Sequence, residues 1–456
     1  LDNLFVTAAQ KNEKVLAVHC VSKKDIDAIS KHTKSWADLN GFDGAAGHVL
    51  LVPAQSGEGL DSALLGVGEG DDPFVTGALA EKLPDGPFSF ASLAGLDNRL
   101  AAIGFGLGSY RFDIYKKINR RQPLLVLDDA LNRDDILRQV ESSFLARDLI
   151  NTPADDMGPD EIEGASRKLA KKYKATIKVI KGDDLLSKNF PMIHAVGRAA
   201  TKAPRLIDMS WGDKKATKLT LVGKGVAFDT GGLDIKPASS MRNMKKDMGG
   251  AANILALARI IVDAKLNVRL RVLIPAVENA IAGNAFRPGD ILRSRKGLTV
   301  EIGHTDAEGR LVLGDALALA CEEKPDLVID MATLTGAARV ALGPELPPYY
   351  TNDESFAAAV DEAAMSERDP LWRMPLWKSY NKALASNVAD LNNVTTDGFA
   401  GSITAGLFLE RFVDPAISWA HFDIFGWNPS KKPHSSVGGE AQCIRAIFAS
   451  LQKRYT

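Results

Sequence analysis

Short apolar runs alternate with amphipathic stretches from one end of this chain to the other, and nothing else in the sequence constrains the fold as much. In the first third, "KVLAVHCV", "HVLLVPA", "ALLGVG" and "PLLVLD" read as strands, with helical stretches near Asp25, Pro73 and Leu96. Further on come "TKLTLVG", "NVRLRVLIPAV", "LTVEIG" and "PDLVIDMATLTG". Strands separated by helices pair in parallel through crossovers, so the class is α/β. A length of 456 residues exceeds what one core usually fills, which predicts two domains. The stretch "RDDILRQVESSFLARDLINTPADDMGP" opens on acidic N-cap candidates, keeps helical spacing and stops at Asn151 before Pro153, so it reads as a linking helix. The expected architecture is a smaller N-terminal α/β domain over 1–130, a linker helix over 131–147, and a larger α/β/α domain over 148–456. The larger domain is expected to carry a mixed, largely parallel central sheet. There is no internal repeat.

Charge and cysteine usage exclude several classes of function. Lys plus Arg number 56 against 57 Asp plus Glu, a formal charge of -1, so no whole-molecule attraction draws the chain to nucleic acid or an acidic membrane. A local basic patch stays open. Cys20, Cys321 and Cys443 are far apart and lack C-x-x-C spacing, which argues against a disulfide framework and a thiolate zinc site. The opening "LDNLFVTAAQKNEKVLAV" has no basic segment followed by a long apolar one, and no apolar run reaches the roughly 18 residues of a membrane span. The expectation is a soluble, cytoplasmic protein.

Two stretches carry the chemistry. "LVGKGVAFDTGGLDIKPASSMRNMKKDMGGAANILAL" begins as a buried strand, breaks into a glycine-rich loop and ends in a helix beginning at about Ala251. A phosphate-binding loop would need G-K-[ST], but Gly225 follows Lys224. "GFGLGS" at 104–109 is a partial dinucleotide fingerprint in the wrong context and reads as a flexible turn. The second stretch, "EIGHTDAEGRLVLGDALALA", feeds from a strand through a tight loop into a helix carrying Leu311, Leu313, Leu317 and Ala320. Both stretches put acids at strand ends, where open α/β folds bind ligands. Asp229, Asp247, Asp306 and Glu308 cannot share one cleft unscreened, because mutual repulsion would protonate some of them. Two divalent cations would balance four carboxylates. Oxygen-rich ligation suits manganese, magnesium or a carboxylate-tolerant zinc pair, and paired ions clamp a hydrolytic displacement.

From about Asp148 onward the chain resembles the leucine aminopeptidase (cytosol aminopeptidase) family. Its N-T-D-A-E-G-R-L signature appears as "HTDAEGRL", and its second stretch as "VGKGVAFDTGGLDIKP" followed by "MKKDMGGAA". The first third matches only loosely, as the family's smaller N-terminal domain. The resemblance implies a catalytic metallopeptidase domain that releases the N-terminal residue of peptides, and a homohexamer. It also implies two metal ions per subunit, manganese or zinc first, with magnesium or cobalt also accommodated. Asp229 and Glu308 would bridge the ions, Lys224 and Asp247 complete one, and Asp306 the other. A lysine binds metal only when neutral, and two adjacent dications would depress its pKa. Lys236 would stay protonated and polarise the scissile carbonyl, while Arg310 would hold a bicarbonate ion acting as general base. The free α-amine of the peptide would bind an ion, which explains cleavage at the first residue only. Met244, Thr333, Leu334 and Gly336 match positions lining the substrate cleft.

Two departures from the family pattern stand out. His304 sits where the signature has asparagine. In "HFDIFGW", Phe425 takes an alanine position beside the pocket for the first side chain, and this bears on specificity rather than on the reaction. Two other readings share these features: a family member with a non-catalytic binding role such as DNA binding, and a two-metal phosphoesterase. The phosphoesterase gives no reason for Lys224, and the full set of ligands argues against a dead enzyme.

Overall fold

A computed structural model describes residues 4–6, 13–118 and 121–455. Part of the opening stretch read above for a leader, residues 1–3 and 7–12, lies outside the described residues. The chain divides into two units, one running to Phe144 and including Asn428–Val437, the other formed by Leu145–Trp427 and the segment from Gly438 onward. The change of unit falls inside a 19-residue helix, Arg133–Asn151, which stops where Pro153 predicts.

The first unit carries a six-stranded sheet in the order Phe5–Val6, Pro123–Val126, Gly86–Ser92, Leu16–Val21, Leu60–Gly66, Val49–Pro53. Its pairings are parallel except the hairpin formed by the last two strands. The expected flexible turn at "GFGLGS" is instead the end of a helix, Asn98–Gly108. Packing accounts for the difference. A Cβ on Gly104 would stand 2.6 Å from Thr76 Oγ1, and one on Gly108 only 2.3 Å from the Gly77 carbonyl oxygen. These glycines let the helix lie directly on the 3-10 turn Pro73–Ala78, and that contact offsets their poor helix propensity, about 1 kcal/mol each.

The second unit is built on a nine-stranded mixed sheet. Ser418–Asp423, Leu327–Ala332, Thr217–Gly223 and Val268–Asn279 lie side by side and parallel at its centre. Arg205–Trp211 and Pro348–Thr351 flank them antiparallel. Both faces are covered, so side chains of a central strand enter opposite cores alternately. Leu327, Ile329 and Met331 join one apolar cluster, Val328 and Ala332 the other. Helices Pro159–Tyr173, Gly249–Asp263 and Ile444–Tyr455 contribute to the first cluster, Gly309–Glu322 and Gly401–Glu410 to the second. This is the expected α/β/α arrangement, with a near-continuous apolar pattern in each central strand because neither face meets water. The helix after the glycine-rich loop starts at Gly249, two residues before the expected Ala251.

"LTVEIG" departs from expectation. Its ladder is only Thr299–Glu301, and it sits in a separate three-stranded sheet with Ile291–Arg293 and Leu391–Asn392. Gly297 and Gly303 bound the run, leaving it too short to match the 12-residue central strand Val268–Asn279. Among the described residues no helix is long and apolar enough to cross a membrane.

Candidate metal centre

The carboxyl ends of the central strands deliver the polar residues to one place. Lys224 follows the strand Thr217–Gly223, and Asp229 closes Gly225–Asp229, which pairs with Val268–Asn279. Asp247 lies in the 3-10 turn Met244–Met248 that leads into helix Gly249–Asp263. Glu308 stands at the N-cap of Gly309–Glu322, with Asp306 two residues before it. Carboxylate oxygens of Asp229, Asp306 and Glu308 lie within 4.8 Å of one another. Asp247 joins them through Lys224, whose Nζ is 2.8 Å from Asp247 Oδ2 and 3.0 Å from Glu308 Oε1. Lys236 Nζ pairs with Asp229 Oδ2 at 2.8 Å and with Asp306 Oδ1.

Four carboxylates thus face two ammonium groups in a largely buried cluster. The strain shows in their proton affinities. Burial first, then the charge of Asp229, pushes Glu308 up to about 8 and Asp306 up to about 7. Asp229 is held low despite its burial, because Lys236 and Lys224 both face it. Burial opposes the charge of Lys224, but Asp247, Glu308 and Asp229 together raise its pKa, so without metal it is an ammonium. Asp247 Oδ2, Glu308 Oε1 and Asp306 Oδ1 are buried and accept no hydrogen bond of good geometry from the described residues. Acceptors of this kind, hard oxygens with more negative charge than their lysines neutralise, fit divalent cations.

The neighbouring groups show how the cluster is held. Asp229 Oδ1 accepts hydrogen bonds from the Gly231 amide (2.9 Å) and Asn279 Nδ2 (2.8 Å). Thr333, expected in the substrate cleft, turns its hydroxyl to Asp247 Oδ1 (2.8 Å), and its carbonyl accepts from Lys224 Nζ (3.0 Å). Leu334 and Thr335 donate their amides to Asp423, at the end of the strand Ser418–Asp423. Thr335 also caps the helix Gly336–Leu342. Met244 is half-buried at the start of its turn, and Gly336 is exposed. Phe425 is half-buried, not a core residue, with Lys246 Nζ and Arg339 Cζ each 4.9 Å from its ring centroid. Arg310 is buried, donates from Nη1 to the Asn393 carbonyl (2.6 Å), and leaves Nε without a partner among the described residues. Burial pulls its pKa down to about 10.

Asn279, Asn393 and Asp423 escaped the sequence reading. Asn393 is fully buried, ties the Gly303 amide and the His304 carbonyl to its side chain, and holds Arg310 by its backbone. Nothing local in "LNNVTTDG" marks that role.

Residues 144–448 match the cytosol aminopeptidase family catalytic domain, and residues 21–128 match the M17 aminopeptidase N-terminal domain. The chain belongs to the cytosol aminopeptidase family. Its activity is that of a metal-dependent aminopeptidase, a hydrolase acting at the amino end of peptides. It is 41% identical over 372 residues to a probable cytosol aminopeptidase of Corynebacterium glutamicum, covering 77% of this chain and 74% of that one. The crystal structure of cytosol aminopeptidase from Coxiella burnetii superposes with a TM-score of 0.94 at 46% identity, covering 99% of this chain and all of that one. The bottromycin maturation enzyme BotP in complex with Mn superposes with a TM-score of 0.87 at 31% identity over 97% of this chain and 99% of that one.

The glycine between Glu308 and Arg310 has a physical reason in this aminopeptidase. A Cβ on Gly309 would stand 2.5 Å from Lys224 Cε and 2.7 Å from its Nζ. Helix Gly309–Glu322 must start without a side chain so that the lysine can reach Asp247 and Glu308. Gly309→Ala is expected to push the ammonium aside and lower kcat/KM by about 10²-fold, the cost of misplacing a reacting group by about 1 Å. Steady-state kinetics with metal titration checks this, and a variant with native kinetics would show that Lys224 has room to spare.

His304 replaces asparagine without losing the local bond. Its Nδ1 accepts the Asp306 amide at 3.1 Å, the i to i+2 bond that an asparagine oxygen makes in an Asx turn. His304→Asn supplies an oxygen that accepts the same amide, so it should keep activity, whereas His304→Ala, which removes the acceptor, should lower kcat/KM. Native kinetics in His304→Ala would show that this bond does not position Asp306.

Proposed function

We propose that two divalent ions would be held here, one by Lys224 and Asp247 and the other by Asp306, with Asp229 and Glu308 serving both. The observation that supports this most strongly is the convergence of Asp229, Asp306 and Glu308 within 4.8 Å, with Lys224 and Asp247 against them. When bound, the ions supply Lewis acidity to the scissile carbonyl and to the attacking water. Lys236, which pairs with Asp229 and Asp306, would present its ammonium to the negative charge that develops on the carbonyl oxygen. Arg310, with a buried Nε that has no acceptor among the described residues, would hold a bicarbonate ion able to serve as general base. Met244, Thr333, Leu334, Gly336 and Phe425 border the cleft for the first residue of a peptide with a free amino terminus. Manganese and zinc are the preferred metals in this reading, and the enzyme works as a cytoplasmic homohexamer.

The test is a panel of aminoacyl amides and their N-acetylated counterparts, assayed with chelator and with manganese or zinc restored. Turnover of the free amines only, lost on chelation and recovered with metal, is the expected result. Chelator-resistant turnover, or cleavage of acetylated substrates, would defeat the reading. Light scattering at assay concentration reports the assembly state.

A further inference from the structure

Two cations beside the cleft have no anion of their own. Arg339 is exposed on the helix Gly336–Leu342 and makes no ion pair or side-chain hydrogen bond among the described residues. Lys246 is 5% exposed, and its ammonium likewise forms no ion pair or hydrogen bond among the described residues. Both rest on one aromatic ring, that of Phe425, at 4.9 Å from its centroid. A ring can hold a cation against its face, but it cannot cancel the repulsion between two. Lysine is almost never this buried without a partner.

The position of these cations indicates where the missing anion comes from. Lys246 lies two residues from Met244, and the Arg339 Nη2 atom is 4.0 Å from where a Gly336 Cβ would stand. Met244, Gly336 and Phe425 are the residues read here as bordering the space for the first side chain of the substrate. A guanidinium fork and an ammonium together match a carboxylate.

We propose that Lys246 and Arg339 form a carboxylate-recognising end of the substrate cleft, giving preference to peptides whose first residue is glutamate or aspartate over their neutral isosteres. The proposal rests on the aminopeptidase reading and on the cleft assignment above. Phe425, atypical for the family at this position, acts as the platform that holds the two cations.

The experiment compares kcat/KM for glutamyl and glutaminyl amides, which differ in charge but hardly in shape, with leucyl amide as reference. Wild type should favour glutamyl by about 10-fold or more, the usual worth of a charge-assisted contact. Arg339→Gln, at an exposed position, should bring the ratio most of the way to one, and Lys246→Met, which keeps volume and removes charge, should do the same. A ratio near one in wild type, or an undiminished ratio in both variants, would overturn the proposal. So would a ratio near one accompanied by strong preference for leucyl-glycine over leucyl-glycinamide, which would assign the cations to the carboxyl end of a dipeptide. If none of the three amides is hydrolysed, the aminopeptidase reading fails first and takes this proposal with it.

Discussion

Asp306→Ala is expected to reduce peptide hydrolysis by at least about 10³-fold while leaving thermal unfolding near that of the native protein. Loss of a residue that only orients a metal ligand costs roughly 10–100-fold, and loss of the ligand itself costs more. The fold should survive because this carboxylate is 29% exposed and its only ion-pair partner among the described residues is Lys236. Asp229→Ala provides the contrast. Asp229 is 2% exposed and accepts bonds from the Gly231 amide and Asn279 Nδ2. Each buried donor left without a partner costs about 1–3 kcal/mol, so activity and stability should fall together. From sequence the two acids look equivalent, both in accessible loops. Metal content, kcat/KM and thermal melting of the two variants decide the matter. Near-native turnover by Asp306→Ala would remove that residue from the metal site.

Lys236→Ala should lower kcat by about 10²–10³-fold with little change in KM, the pattern of a cation that acts on charge developed in the transition state. A second consequence follows from its ion pairs. Lys236 holds Asp229 Oδ2 at 2.8 Å and also pairs with Asp306, so in the metal-free protein it competes with any incoming cation. Removing it should therefore tighten metal binding while slowing turnover, and opposite signs in two assays are hard to obtain from general damage. Calorimetric titration with manganese, run beside the kinetics, checks both. A pure KM effect would make Lys236 a substrate-binding group, and weakened metal binding would make it a structural one.

The α/β class and the order of the chemical stretches were legible because they rest on local features. Strands buried on both faces read as apolar runs, as Leu327–Ala332 does, and helix Arg133–Asn151 stops where the residues before Pro153 lose their helical preference. Asp229, Asp247, Asp306 and Glu308 could be singled out because two separate strand-to-loop edges carry these acids and both stretches resemble the motifs of one family. Local reading failed where contacts from distant segments outweighed propensity. The glycines at 104–108 look like a flexible turn until Thr76 and Gly77 are seen pressed against them. "LTVEIG" looks like a sheet strand until its three-residue ladder is found elsewhere.

By itself, the sequence determined which side chains are available, their order along the chain, and the strand and helix ends on which they sit, since periodicity, capping and glycine placement act over a few residues. Only the tertiary structure decided what each one touches. Lys224 passes over Gly309 to reach Asp247 and Glu308, Asn279 anchors Asp229, and Asn393 holds Arg310 from 83 residues away. Phe425 is half-buried, and Lys246 and Arg339 arrive at its ring from separate segments. Charge interactions reach across space over several ångströms, whereas chain-local patterning is blind to segments that meet only after folding.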